Sequence, residues 1–587
     1  MLGKILQITN GVVVVKLEVN LYQMGSLMGK NVVFEDGDVK IVGEVIGSYS
    51  DRIEVVVIGQ FENNEFVYGD IVNPSFRSVC RVINKKELDL MFANNDEETS
   101  IHIGNSFVYD NYEINLNVSR FFSSHFSILG NSGSGKSHSV ARIIQGIFYQ
   151  AKYIPFRTNI FLFDAYGEYQ QAFNNIGSIN ENINYKVYTT NLKDDDHEVL
   201  KLPFWFFGVD DLALLLGATE PDQLAVIEKA LKLVELFTRD EEYVIKQKND
   251  IIARSVLDMI FSGKNPSFIR NKLVSVLTKF HTRDINLDIN LTKGGWTRTV
   301  KQCLFVEDSG QFADVELVIN FLEEYVSDEF ELSLPDGTFM YSMKDFNDAL
   351  EFALISEGVY TSDKVYDYAN ILKVRLNTMI NSDYATYFDY PNFITKEDYI
   401  KSLLTAGNGK KAQVINFNIN YVDDRFAKNL VKIMSKLLFD FIAVLKDRAS
   451  MPFHIILEEA HRYVQDDIDK ELLGYNIFER IAKEGRKYGI LLGLISQRPS
   501  EISETTISQC SNFIIFKIFH PKDLEFVRSV LPSINTGMTS KLNTLNPGAC
   551  IIYGNAFKMP VLVKMAVPDP TPLSSNCDIE KVWYIKN

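Results

Sequence analysis

Gly130, four residues, Gly135, Lys136 and Ser137 follow one another in ILGNSGSGKSHS, residues 128–139. Glycines at those places let backbone N–H groups turn inward toward oxygen anions, and the N-terminus of a following helix adds partial positive charge. A lysine there reaches the β- and γ-phosphates of a nucleotide, and a serine hydroxyl is a ligand for Mg²⁺. The pattern predicts a phosphate cradle of Gly130, Asn131, Ser132, Gly133, Ser134, Gly135, Lys136, Ser137 and His138. An ordinary Gly/Ser turn shows similar letters, and the flanking segments decide between the two. HFSIL, His125 to Leu129, is an apolar run of strand length. Behind the loop, Ala141, Ile144 and Phe148 recur at spacings of three and four, one face of a helix. Strand, glycine turn and helix form the setting that a phosphate loop requires.

Splitting a phosphoanhydride with water needs a metal clamp, a polarised nucleophile and donors that neutralise charge. FHIILEE, Phe453 to Glu459, is an apolar strand that ends in adjacent carboxylates. Glu458 is expected beside Mg²⁺, through water, and Glu459 as the general base on the attacking water. Gln497 ends LLGLISQ, and its amide fits a sensor of the γ-phosphate or of that water. Each has a plainer reading, solvated acids or a loop amide, and position after a predicted central strand favours the site. Arg480 and Arg486 lie on or after the helix NIFERIAKEGRKYG. They suit either an arginine finger offered to a neighbouring subunit or a basic helix C-terminus favoured by the dipole. Spacing leaves both open.

The rest of the chain must position these groups. With 587 residues it is too long for one core. Its 46% hydrophobic content indicates a globular protein. A net charge of −16 excludes a surface that coats nucleic acid throughout, but not a local basic channel. No apolar run reaches the ~18–20 residues that a membrane helix needs. The start, MLGKILQITNGVVVVKLEVN, lacks the layout of a signal peptide, so a cytoplasmic protein without membrane contact is expected. Cys80, Cys303, Cys510, Cys550 and Cys577 stand far apart, as reduced structural thiols, and neither they nor the histidines have zinc-site spacing.

Residues 1–100 alternate short β-rich runs with glycine turns, which predicts a small β-barrel or sandwich. NNDEETS, Asn94 to Ser100, reads as a linker. Residues 101–218 hold the phosphate loop and the strand of NIFLFDAYGEY, ending at Asp164. From 219 to 399 helical spacing dominates, as at Leu224, Ile227, Leu231 and Val234, and the expectation is a helical insertion. Strand and helix alternate again over 400–568, before a tail at 569–587. Repeated β-α-β predicts an α/β fold with a largely parallel sheet and helices on both faces. Such sheets bind ligands at the C-terminal ends of their strands. The phosphate loop, Asp164, Glu458, Glu459 and Gln497 all fall at such ends.

SILGNSGSGKS, FLFDAYGEY, IILEEAH, IAKEGRKYGILLGLISQRPSEI and LNPGACIIYGNAFKMPV together resemble the HerA branch of the FtsK–HerA ATPases. EEAH followed by EGRKYG and SQRPSEI is far more specific than a phosphate loop alone. The resemblance implies a RecA-like P-loop core with ATP and Mg²⁺, and an N-terminal barrel of the family's HAS type. It implies a homohexamer that threads double-stranded DNA through its pore. It also favours Glu459 as catalytic, Gln497 as sensor, and Arg486 over Arg480 as the finger acting in trans. Glu458 stands where related ATPases commonly have Asp. HerA-like proteins work with an effector: a NurA-type nuclease in end resection, or a nuclease or sirtuin-like NADase in anti-phage defence. The expectation taken forward is a translocase with such an effector in bacterial defence, with end resection in repair as the alternative. A scaffold that assembles an effector with little motor work is the rival class, and the presence of both Glu459 and Arg486 favours hydrolysis. No NKxD segment follows the loop, so ATP is expected over GTP.

Overall fold

The computed structural model describes residues 1–9, 11–19, 25–69, 72–92, 99–109, 112–149, 154–239, 241–328, 332–360, 363–467, 469–531, 536–573 and 579–583. Most of the predicted linker Asn94–Ser100 and Cys577 lie outside these. Two compact units result: Met1–Glu198 with Ile400–Asp466 and Asn476–Asn587, and Val199–Tyr399 with Asp467–Tyr475.

The first unit begins with strands β1 (Gly3–Thr9), β2 (Val12–Leu17), β3 (Asn31–Asp36), β4 (Val39–Ser48), β5 (Arg52–Glu62), β6 (Glu65–Tyr68) and β7 (Val79–Val82). The order β2-β1-β7-β3-β4-β5 closes on itself because β2 also pairs with β5, and β6 hangs on β5 as a hairpin. Closure removes the exposed edges that such short strands would otherwise present. Alternation fills the interior: Val13, Val15, Phe34, Val55 and Cys80 are fully buried. Gly43 permits the tight bend, since a Cβ there would stand 2.3 Å from Val55 Cγ1.

The second sheet carries the candidate site. Its strands are β8 (Ser100–Ser106), β9 (Glu113–Asn117), β10 (His125–Leu129), β11 (Ile160–Asp164), β12 (Tyr185–Thr189) and β13 (Glu198–Val199). After β14 (Asn290–Lys293) and β15 (Trp296–Thr299), a hairpin of the second unit, come β16 (Val414–Asn418), β17 (Phe453–Leu457), β18 (Ile490–Ser496), β19 (Cys510–Ile515), β20 (Ala549–Gly554) and β21 (Val561–Met565). From β12 the order is β12-β16-β11-β17-β18-β10-β19-β20-β21-β8-β9. The block from β12 to β19 is parallel, with Leu129 level with Ser496 on one side and Ile515 on the other. Every residue of β10, β11, β17 and β18 is buried, as expected where helices cover both faces. Beyond β19 the pairing turns antiparallel, an extension that the β-α-β reading did not include. Within it β20–β21 and β8–β9 are neighbours in sequence, whereas β20 follows β19 through the helix Pro521–Val530 and β21 pairs with β8 from the other end of the chain.

The helix NIFERIAKEGRKYG is preceded by a separate short one. Asp469–Leu473 forms a short helix, Gly474 turns at φ +79°, and the long helix starts at Ile477. Asn476 caps it, its side chain accepting from the N–H groups of Phe478 and Glu479, and Gly489 ends it at φ +89°.

Gly493 sits mid-strand in β18 for a packing reason. A Cβ there would stand 2.4 Å from Phe126 Cζ on β10. Gly493→Ala is therefore expected to cost about 1–3 kcal/mol through overpacking. A thermal melt checks it, and an unchanged melting temperature would mean that the Phe126 ring turns aside.

The second unit is mainly helical, with Pro221–Thr238, Glu242–Phe261, Pro266–Lys279, Met343–Tyr360 and Asp363–Ile380 its longest elements. Proline at the first position starts two of them, at Pro221 and Pro266, where its missing N–H costs nothing. Among the described residues, no helix is long and apolar enough to cross a membrane.

Candidate functional site

The loop between β10 and the helix Lys136–Tyr149 is held in shape by its neighbours. Gly130 N donates to Ser496 O at 3.1 Å, Asn131 N to Lys517 O at 2.9 Å, and Gly548 N to Ser134 O at 2.8 Å. Gly130 has φ +151°, and a Cβ on it would meet Phe516 Cβ at 2.6 Å and Ser134 Oγ at 2.8 Å. No side chain fits there, so the first glycine of the motif is required by close approach as well as by backbone angle. Ser134 Oγ and Lys136 Nζ both donate to Asn131 O, at 2.7 and 3.0 Å. The lysine is only 8% exposed, folded over the loop where phosphate oxygens would replace that carbonyl. Burial lowers its proton affinity, and Glu459, Glu458 and Glu168 oppose the shift.

Both glutamates after β17 face this lysine. Glu458 is 3% exposed, and its Oε2 accepts from Ala165 N at 3.2 Å. Burial, then the carboxyls of Asp164 and Glu168, push its pKa well above the usual range. Glu459 is 6% exposed and adopts φ +51°, a left-handed conformation that costs a non-glycine residue roughly 1–2 kcal/mol. Burial raises its carboxyl, while Lys136 and Arg462 pull it down. Its Oε2 has no aligned hydrogen-bond donor; His461 Nδ1 stands 3.2 Å away, on an imidazole whose burial favours the neutral form. A buried carboxylate oxygen without a donor is costly, and a bound water would satisfy it. His461 Nδ1 also lies 3.1 Å from Ser496 Oγ, which joins Glu459 to the end of β18. Gln497 follows Ser496, and its backbone N–H faces the Glu459 carboxyl.

Lys136, Ser137, Glu458, Glu459 and Gln497 are thus brought to one end of the sheet. Arg480 and Arg486 are not. The Arg480 guanidinium lies 4.8 Å over the Phe439 ring and 3.9 Å from Glu484. Arg486 is exposed, and its charge lowers the proton affinity of buried His125, after desolvation. His125 opens β10, whereas the loop follows its far end at Leu129.

Three residues near the site went unassigned in the sequence. Glu168 adds its negative charge to the field on Lys136. His461 touches Glu459, and Arg462, which pairs with Asp424, sits in the same field. HRY directly after the paired acids was the available signal for the last two. Among the described residues, no three His, Cys, Asp or Glu side chains are arranged to hold a metal ion unaided. The charges of Glu459, Glu458 and Glu168 around Lys136 nevertheless suit a divalent cation, and the donor-free Glu459 oxygen fits a bound water. Ser137 and Glu458 would hold Mg²⁺ together with nucleotide phosphates, the usual arrangement for that ion.

Residues 101–293 match the family model described as the central domain of helicase HerA. The chain is 22% identical over 537 residues to the DNA double-strand break repair helicase HerA of Pyrococcus furiosus, covering 90% of this chain and 80% of that protein. It is 21% identical over 523 residues to the probable DNA double-strand break repair helicase HerA of Methanocaldococcus jannaschii, covering 87% and 84%. The structure of VirB4 of Thermoanaerobacter pseudethanolicus aligns at a TM-score of 0.44 and 10% identity, over 81% of this chain and 98% of that one.

Proposed function

We propose that this chain, which is similar to helicase HerA over most of its length, is an ATP-hydrolysing ring motor acting on double-stranded DNA. Six copies bind ATP and Mg²⁺ at Gly130–His138 with Glu458, and hydrolysis draws the duplex through the pore. The core of 101–218 and 400–568 does this work, the barrel of 1–100 precedes it, and the helices of 219–399 shape the particle.

Within one copy the residues divide the task. Lys136 leaves the Asn131 carbonyl for phosphate oxygens. Glu459 takes the proton of the attacking water at its unpaired Oε2. Gln497 reports the γ-phosphate to β18. Mg²⁺, when bound with the nucleotide, screens the charge that builds on the phosphates.

One observation carries the ring. Arg486, on the helix Ile477–Tyr488, contributes its charge to the field on His125, which opens β10, whereas the phosphate loop follows the other end of that strand at Leu129. Its guanidinium is exposed. If it meets a γ-phosphate, that phosphate belongs to another copy. The relatives bear the names of break-repair helicases, which supports work at DNA ends. A nuclease or sirtuin-like NADase as effector, and a role in anti-phage defence, rest on the family resemblance. Purifying the chain from its native host with whatever binds it tests both.

Phosphate release with and without linear duplex DNA tests the motor. Turnover is expected to rise several-fold with duplex. Turnover indifferent to DNA but raised by a co-purifying effector would replace the motor with an assembly switch.

A further inference from the structure

Residues 264–301 carry eight lysines and arginines against two acids, Asp284 and Asp288, in a chain whose net charge is −16. Part of that charge is used inside the fold: Lys279 pairs with Asp348 and Glu351, and Arg283 with Asp284. The rest gathers on two elements. The helix Pro266–Lys279 buries Ile269, Leu273, Val276 and Leu277, and Phe268 and Lys272 lie off that stripe, one turn apart. Phe268 is 51% exposed, with Lys264 Nζ 5.9 Å and Lys272 Nζ 5.1 Å from its ring centre. The hairpin β14–β15 turns at Gly294 and Gly295, both left-handed, and a Cβ on either would meet nothing within 4 Å. Just after the turn Trp296 is 40% exposed, and the Arg298 guanidinium lies 4.7 Å over its ring. Arg298 also pairs with Asp314, and Lys293 with Glu316. Lys301, exposed, sits on the short helix Val300–Cys303 that β15 runs into. The two elements are tied together, because Arg270 Nε donates to Leu304 O at 3.1 Å, at the end of that short helix.

Each exposed ring thus has a cation beside it, and neither ring serves the core. A cationic stretch in an acidic chain fits a polyanion. A duplex offers phosphates to the cations but keeps its base faces stacked inside, so both rings would stay in water. A single strand offers phosphates to the cations and base faces to the rings. We propose that Phe268 and Trp296, with Lys264, Lys272, Arg298 and Lys301, form a binding surface for single-stranded DNA. This rests on the reading of the chain as a protein that acts on DNA.

The test is fluorescence anisotropy of a labelled oligo(dT), and of a duplex of equal length, with the full chain and no ATP. Phe268→Ala and Trp296→Ala are each expected to weaken oligo(dT) binding about tenfold and to leave duplex binding unchanged. Lys301→Ala should lower the slope of log affinity against log salt for oligo(dT) by about 0.7. Natural oligo(dT) affinity in both ring variants, or an equal loss for single strand and duplex, overturns the proposal. Were Trp296→Ala to unfold its hairpin, Phe268→Ala, on the helix, decides alone by the same two affinities. A natural chain whose turnover rises with duplex but which does not bind oligo(dT) overturns this surface and keeps the motor. A natural chain that responds to neither form of DNA defeats the motor reading as well.

Discussion

Glu459→Gln is expected to bind ATP as the natural chain does and to turn it over about a thousandfold more slowly, within the range lost with a general base. The amide has the shape of the carboxylate, so the left-handed backbone at φ +51° and the contact with His461 can persist. What is lost is an oxygen able to take a proton. In the natural chain that oxygen, Oε2, has no aligned donor, and burial strengthens it as a base. Lys136 works against that strengthening, and its move from Asn131 O toward phosphate would relax the opposition. Affinity should hold, since the substitution also removes a negative charge near the γ-phosphate. Equilibrium binding of labelled ATP beside single-turnover phosphate release measures both. Residual turnover within tenfold of the natural rate would assign the base to another residue.

Most of this geometry was legible where the chemistry is local. IFLFD, FHIIL and ILLGLIS are apolar at most positions, as strands covered on both faces are, and HFSIL is so apart from His125 and Ser127. Their C-terminal ends therefore located the loop, Glu458, Glu459 and Gln497 before any coordinates. Pairing partners were not local, and were less legible. Nothing in SIHIGNS or EINLN states that β8 and β9 extend the far antiparallel edge, because alternation fixes a strand's faces and not its neighbour. Closure of the barrel through Val12–Lys16 against Arg52–Val56 has the same character. Gly474 was a written break inside an otherwise helical pattern, and the apolar spacing on either side outweighed it. Glu168 was hidden for a different reason. Its place in the chain depends on Asp164 accepting successive backbone N–H groups, and an acid at a strand end reads more readily as chemistry than as a turn.

Mixing two inactive variants gives the second large effect. Arg486→Ala alone is expected to lose about 10³-fold or more in turnover, the scale on which an arginine finger acts. Glu459→Gln alone is inactive for want of a base. If Arg486 serves the neighbouring copy, a mixed ring contains interfaces where an Arg486→Ala copy supplies Glu459 and a Glu459→Gln copy supplies Arg486. With random assembly from equal amounts, about a quarter of the interfaces are complete, and turnover should recover toward that fraction of the natural rate. A finger acting within its own chain gives no such recovery, because no copy in the mixture then holds both groups. The plainer alternative is that Arg486 only complements the dipole at the end of its helix, beside Lys487 and Tyr488. Arg486→Ala would then lower the melting temperature slightly and leave turnover intact. Turnover of the single variant, read beside that of the mixture, thus separates a finger in trans, a finger in cis and a helix cap.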